Sequence, residues 1–111
     1  TYRNDAILVA GVAEAVPLPR EFALRQNYPN PFNPATSIKY ELPKESHVEL
    51  VVYNLRGQAI RTLVNAEKRA GYHDLIWDGR NQAGALVSSG IYFVRMKAGP
   101  FVKVVKMSLV K

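Results

Sequence analysis

The sequence predicts an all-β chain folded as a sandwich or barrel. Three observations carry that expectation. From Thr36 onward, apolar and polar residues alternate with a period of two in several short runs. Turn signals rich in glycine, proline and asparagine separate these runs at close spacing. No segment combines a 3.6-residue apolar period with capping residues, so no helix is expected.

The elements follow in order. Ile7 to Val12 is apolar without alternation, which suits burial on both sides. The wider run Ala6 to Val16 contains Glu14 and is too short to span a bilayer. "VPLPREF" (16–22) reads as an extended linker because of its two prolines. "TSIKYELP" places Ile38, Tyr40 and Leu42 on one strand face, and Pro43 ends it. "HVELVVYN" places Val48, Leu50 and Val52 together. "NLRGQ" (54–58) turns the chain, with Gly57 free to take positive φ, and "AIRTLV" (59–64) returns as a hairpin. "NAEKRAG" (65–71) is expected to be a loop. "YHDLIWDG" (72–79), "GIYFVRMKAG" (90–99) and "FVKVVKMSLV" (101–110) complete the strands, with breaks at "GRNQAG" and Gly99-Pro100.

Composition bounds the function. The 111 residues suit one domain, and 48% hydrophobic with 22% charged residues is ordinary globular composition. Without cysteine there is no disulfide scaffold, thiolate metal site or cysteine nucleophile. The chain begins at Thr1, so it is expected to be a piece of a larger protein; if that parent is exported, its signal lies upstream. The net charge of +6 is uneven. Nine basic and nine acidic residues cancel up to Asp78. After it Arg80, Arg95, Lys97, Lys103, Lys106 and Lys111 stand with no acid among them. Two readings remain: lysines guarding edge strands, or a basic surface for an anionic partner. No aromatic-interleaved basic stripe, RNA-binding signature or zinc-finger spacing accompanies the excess, so nucleic acid is not the expected partner.

The candidate motifs are few. "NYPNPFNP", residues Asn27, Tyr28, Pro29, Asn30, Pro31, Phe32, Asn33 and Pro34, is stiffened by proline and by asparagine side chains that fold onto nearby amides. Its structural reading makes Tyr28 and Phe32 pegs in one end of the sandwich. The competing reading is an exposed aromatic surface for a partner or a sugar. Around Trp77, Asp78, Gly79 and Gly84, "WDGRNQAG" is a turn closed by side-chain hydrogen bonds, with an incomplete likeness to a calcium loop. Trp77 is expected in the core, with a carbohydrate platform as the alternative. His47 and His73 stand at strand starts without a third ligand at useful spacing. "VSSGIY" is no nucleophile elbow, and no phosphate-cradling loop occurs. No cofactor is expected, and the chain is read as a non-enzyme.

The ordered set "FALRQNYPNPFNPATSIKYELP", "VELVVYNLRGQAIRTLV", "AGYHDLIWDGRNQAGALVSSGIYFVRMKAG" and "KMSLVK" resembles the C-terminal sorting domain of bacterial type IX (Por) secretion cargo. The similarity runs from about Val16 to Lys111. The middle and end, above all Trp77-Asp78-Gly79 with Gly90 and Tyr92, also resemble the immunoglobulin-like domain of flagellar hook-capping proteins. The resemblance implies an immunoglobulin-like antiparallel β-sandwich of about seven strands in two sheets over residues 17–111. Residues 1–16 would be the tail of a preceding cargo domain, an extra strand or a linker. It implies a non-catalytic C-terminal signal that directs a larger exported protein across the outer membrane, first through the periplasm and then to the medium or cell surface. The implied partners are the outer-membrane secretion machinery, a sortase-like peptidase, anionic lipopolysaccharide and the upstream cargo domain. The implied address comprises Gly90, Tyr92, Lys103, Lys106, Met107, Leu109, Val110 and Lys111. An edge strand also makes a homodimer conceivable. The alternatives are a structural immunoglobulin-like spacer or assembly module, and an accessory carbohydrate-binding module of a secreted enzyme.

Overall fold

The computed structural model describes residues 17–111. The expected cargo tail, extra strand or linker at residues 1–16, including Ile7 to Val12, lies outside the described residues. Seven strands follow in order: β1 (Ala23–Leu24), β2 (Thr36–Leu42), β3 (Ser46–Asn54), β4 (Ala59–Lys68), β5 (Gly71–Trp77), β6 (Gly90–Ala98) and β7 (Phe101–Leu109). They form two antiparallel sheets, β1-β2-β5 and β4-β3-β6-β7.

Alternation decides what each strand buries. On β2 the side chains of Thr36, Ile38, Tyr40 and Leu42 enter the core, while Lys39 between them is exposed. On β3 the inward set is Ser46, Val48, Leu50 and Val52. β6 adds Tyr92, Val94, Met96 and Ala98, and β7 adds Val105, Met107 and Leu109. Leu24 and Phe32 come from outside the long strands and are equally buried. Each fully buried aliphatic side chain contributes about 1.5–3 kcal/mol, so this inner layer dominates stability. The surface ion pairs Arg25–Glu41 and Lys39–Asp74 are screened by water and add little beside it.

The expected loops differ in one place. Asn65 to Lys68 is strand, not loop, and only Arg69 and Ala70 separate β4 from β5. These four residues pair one for one with Glu49 to Ser46, and the register shifts of β4 fall earlier in the strand, opposite Leu50/Val51 and Val52/Tyr53. β4 is an edge strand with much of its length exposed, so its side chains carry little apolar signal. β1 is a second addition, a two-residue strand pairing Ala23 with Glu41 and Leu24 with Tyr40.

The turn after β3 is as expected. The Asn54 side-chain oxygen accepts hydrogen bonds from the Arg56 and Gln58 amides, and Gly57 takes φ 83°. In the three-stranded sheet the Tyr40 ring stacks on His73 at 4.9 Å between centroids. Burial raises the phenol pKa of Tyr40, because the phenolate would lose its hydration.

The sign of the pH effect follows from that shift. Stability tied to neutral Tyr40 is present below its ordinary pKa of about 10 and is lost as pH rises through the higher folded value. Urea unfolding followed across the alkaline range should show a falling midpoint, and Tyr40→Phe should flatten the fall.

Candidate functional site

β7 is the last strand among the described residues and an edge of the four-stranded sheet. Its inner flank is paired along its whole length with β6, from Gly90 with Leu109 to Ala98 with Phe101. Its outer flank divides into two halves.

The C-terminal half is covered by the proline–asparagine segment. The Phe32 amide donates to the Ser108 carbonyl at 2.9 Å, and the Val110 amide donates to the Phe32 carbonyl at 2.9 Å. This makes a parallel bridge between Phe32 and Leu109. The Asn30 side-chain oxygen accepts from the Ser108 amide, and the Gln26 side-chain amide donates to the Lys106 carbonyl. The Lys106 carbonyl, both backbone groups of Ser108 and the Val110 amide are therefore occupied.

The segment holds this position because its own polar atoms are satisfied. Buried Asn27 donates to the Pro29 carbonyl and to the Thr36 hydroxyl oxygen, and it accepts from Gln26. The Thr36 hydroxyl donates to the same Pro29 carbonyl at 2.8 Å. Tyr28 and Ser37 exchange two backbone hydrogen bonds. The peptide bonds before Pro29, Pro31 and Pro34 are cis.

Phe32 is the anchor. Its ring is 1% exposed and lies 5.5 Å from Trp77, which in turn meets Tyr92 edge-on at 5.5 Å. Trp77 donates its indole N–H to the Arg80 carbonyl, and the Tyr92 hydroxyl donates to the Ser88 carbonyl. Tyr28 corrects the expected pair of pegs: it is 78% exposed and faces solvent. Its backbone is held in the bridge to Ser37, so its side chain has no inward direction to take. Trp77 is fully buried, so it offers no platform for a sugar.

The turn after β5 packs onto the same anchor. Asp78 accepts from the Arg61 guanidinium and the Arg80 amide, and Asn81 accepts from the Ala83 and Ala85 amides. The Asp78 carboxylate thus faces two guanidinium groups, as a turn requires and a calcium loop does not. Gly79 takes φ 74°, and a Cβ there would stand 2.9 Å from the Pro34 carbonyl oxygen. Among the described residues no group of three His, Asp or Glu side chains could hold a metal ion. His47 is exposed beside Asn65, and His73 lies under Tyr40.

The residues expected to carry an address separate by side. Lys103, Lys106, Val110 and Lys111 are exposed. Tyr92, Met107 and Leu109 are core residues, and Gly90 pairs with Leu109 at the strand end. The Lys111 amide donates to the Ser89 hydroxyl oxygen. A partner meeting the folded domain therefore encounters lysines and backbone, not the apolar side chains of Met107 and Leu109. Sequence reasoning missed Gln26 and Ser108. Both act through contacts about eighty residues apart, which no local pattern announces. It also missed the exposed pair Val102 and Val104, although the alternation of β7 places both on the outer face.

Comparison with known proteins places this geometry in a family. The FlgD Ig-like domain matches residues 32–100. A search among curated proteins finds no match. The structure of FlgD from P. aeruginosa superposes with a TM-score of 0.53 at 21% identity, covering 67% of this chain and 58% of that one. PorZ from Porphyromonas gingivalis, an essential bacterial surface component of the type-IX secretion system, gives 0.57 at 17% identity. That match covers 79% of this chain and 11% of PorZ. Dimeric latent PorU from Porphyromonas gingivalis gives 0.62 at 16% identity, covering 80% of this chain and 9% of PorU. The chain thus spans 58% of the FlgD structure and a small part of the other two. The likeness establishes the fold as an immunoglobulin-like sandwich.

Thermal and urea unfolding should separate the two aromatics of the covering segment. Phe32→Ala should cost about 3–5 kcal/mol through the cavity beside Trp77. Tyr28→Ala should stay within about 0.5 kcal/mol of the parent. Equal losses would remove Phe32 from its role as anchor.

Proposed function

The chain belongs to the FlgD Ig-like domain family, and on that fold we propose a non-catalytic sorting and secretion module at the C-terminus of a larger exported bacterial protein. The module directs its cargo across the outer membrane to the cell surface or the medium. One observation carries the reading: the acid-free terminal strand β7 lies on a sheet edge with Lys103 and Lys106 exposed along it and Lys111 beyond it. A signal must be reachable while the domain stays folded, and an edge strand meets that condition. The shared fold of PorZ, a surface component of the type-IX system, supports the same reading.

In this reading the module has no chemistry of its own. It presents β7 and its lysines to the outer-membrane secretion machinery. A sortase-like peptidase acts on the junction with the cargo, and anionic lipopolysaccharide is the acceptor at the surface. The covering segment has a mechanical part. It ties Lys106 to Val110 into the sandwich without disulfides, so the signal survives outside the cytoplasm.

The family match favours a second reading, a structural spacer or assembly module as implied by the likeness to hook-capping proteins. The two separate in one experiment. The whole 111-residue chain is attached to the C-terminus of a periplasmic reporter in a host with type IX machinery. Export should appear with the attached chain and should fall several-fold when Lys103, Lys106 and Lys111 are changed to alanine. Circular dichroism of the variant should match the parent. A reporter retained in the periplasm with the parent chain attached would favour the spacer.

A further inference from the structure

The covering segment stops at Lys106, and the edge does not. We propose that the uncovered half of β7, Phe101 to Val104, together with the cleft beside it, is a docking groove for an acidic, extended strand of a partner protein. The inference deepens the docking role proposed above for β7 and rests on it.

The backbone comes first. The outward groups of β7 that are occupied belong to Lys106, Ser108 and Val110. Antiparallel pairing with β6 turns alternate residues outward, so Val102 and Val104 present their N–H and C=O to the same side. No described residue hydrogen-bonds to them there. Their side chains are 53% and 51% exposed. The segment at Phe32 already shows how this edge receives a chain, through main-chain hydrogen bonds in register with β7. Val102 and Val104 are the next two positions of that edge. The room is short: Gln26 closes one end at Lys106, and the Gly99-Pro100 turn closes the other. A strand of four or five residues fits, at about 3.3 Å per residue.

Shape and charge select the occupant. A cleft of roughly 370 Å³ opens beside this half of the edge, with Phe22 stacked on Phe101 at 5.6 Å as its apolar wall. Arg20 and Lys103 line it as cations. Arg25 is committed to Glu41 through two hydrogen bonds, which leaves Glu21 as the remaining acid of the cleft. Beside the edge, Lys97 lies opposite Val102 with Glu49 across from it on β3, Arg95 lies opposite Val104 and donates to the Tyr53 hydroxyl, and Lys106 follows. The β6–β7 hairpin carries four cations, Arg95, Lys97, Lys103 and Lys106, and no anion. An acidic strand is matched to this field, whereas antiparallel pairing with a second copy would set lysine against lysine. Strand addition then supplies affinity through the backbone, and the cations supply selection by charge.

Fluorescence anisotropy on the whole 111-residue chain tests this. The probe is a labelled six-residue peptide alternating glutamate and valine, and its counterpart replaces glutamate by lysine. The acidic peptide should bind saturably, and the basic one about tenfold more weakly. Val104→Pro removes an outward N–H that the sandwich does not use, at a position where an edge strand tolerates proline. It should abolish binding with the circular dichroism spectrum retained. If that variant does not fold, an acidic peptide N-methylated at alternate amides blocks the same pairing from the other side and should not bind. Equal binding of the two peptides would overturn the proposal, as would undiminished binding of the methylated one. Self-association that Val104→Pro abolishes would assign the edge to a second copy instead. Binding to anionic lipid vesicles, unchanged by Val104→Pro and without peptide binding, would overturn it too. Reporter export without peptide binding sinks this inference alone, and peptide binding without export sinks the sorting reading alone.

Discussion

The fold turns on how the last strand closes its outer edge. A strand at the rim of a sheet leaves alternate N–H and C=O groups without partners, and these must be met from elsewhere in the fold. Here the partner comes from the start of the domain. Phe32 gives its amide to Ser108 and takes the amide of Val110, while Asn30 and Gln26 satisfy the groups that precede these on β7. The two ends of the described chain are thereby joined across about eighty residues without a covalent link.

That closure depends on the aromatic contact beneath it. Two backbone hydrogen bonds at a sheet rim contribute about 1 kcal/mol each, too little to fix an eight-residue segment unaided. The Phe32 ring against Trp77, and Trp77 against Tyr92, supply the larger part by burial. The turn after β5 is fitted to the same cluster. Gly79 lies against the Pro34 carbonyl, and Arg80 and Ser88 accept the indole and phenol hydrogens. Loops that look unrelated along the chain thus share one packed end of the sandwich.

Charge and burial then divide the terminal strand between core and solvent. Val105, Met107 and Leu109 belong to the core, and the lysines between and beyond them belong to solvent. Lysines on an edge oppose indiscriminate strand pairing, and the same charges favour an acidic partner. Protection and selection are therefore compatible uses of one set of side chains, because both follow from an unbalanced positive field beside open backbone.

Much of this was legible in the residues themselves. The alternation of Ile38, Tyr40 and Leu42, of Val48, Leu50 and Val52, and of Tyr92, Val94 and Met96 determined the strands and their buried faces, because side-chain direction in a strand is local geometry. The turns at Asn54 to Gln58 and Asp78 to Gly84 were determined likewise, since their hydrogen bonds span four residues or fewer. Tertiary structure alone decided that Phe32 is anchored while Tyr28 is not, for both are aromatics in one stiff segment and only the position of Trp77 distinguishes them. It alone decided that Asn65 to Lys68 continues β4, because a solvent-facing edge strand carries little apolar alternation and only its pairing with β3 reveals it. It alone decided which half of β7 is covered, since an edge exists only once the sheets are assembled and the distant Gln26, Asn30 and Phe32 have come to rest against it.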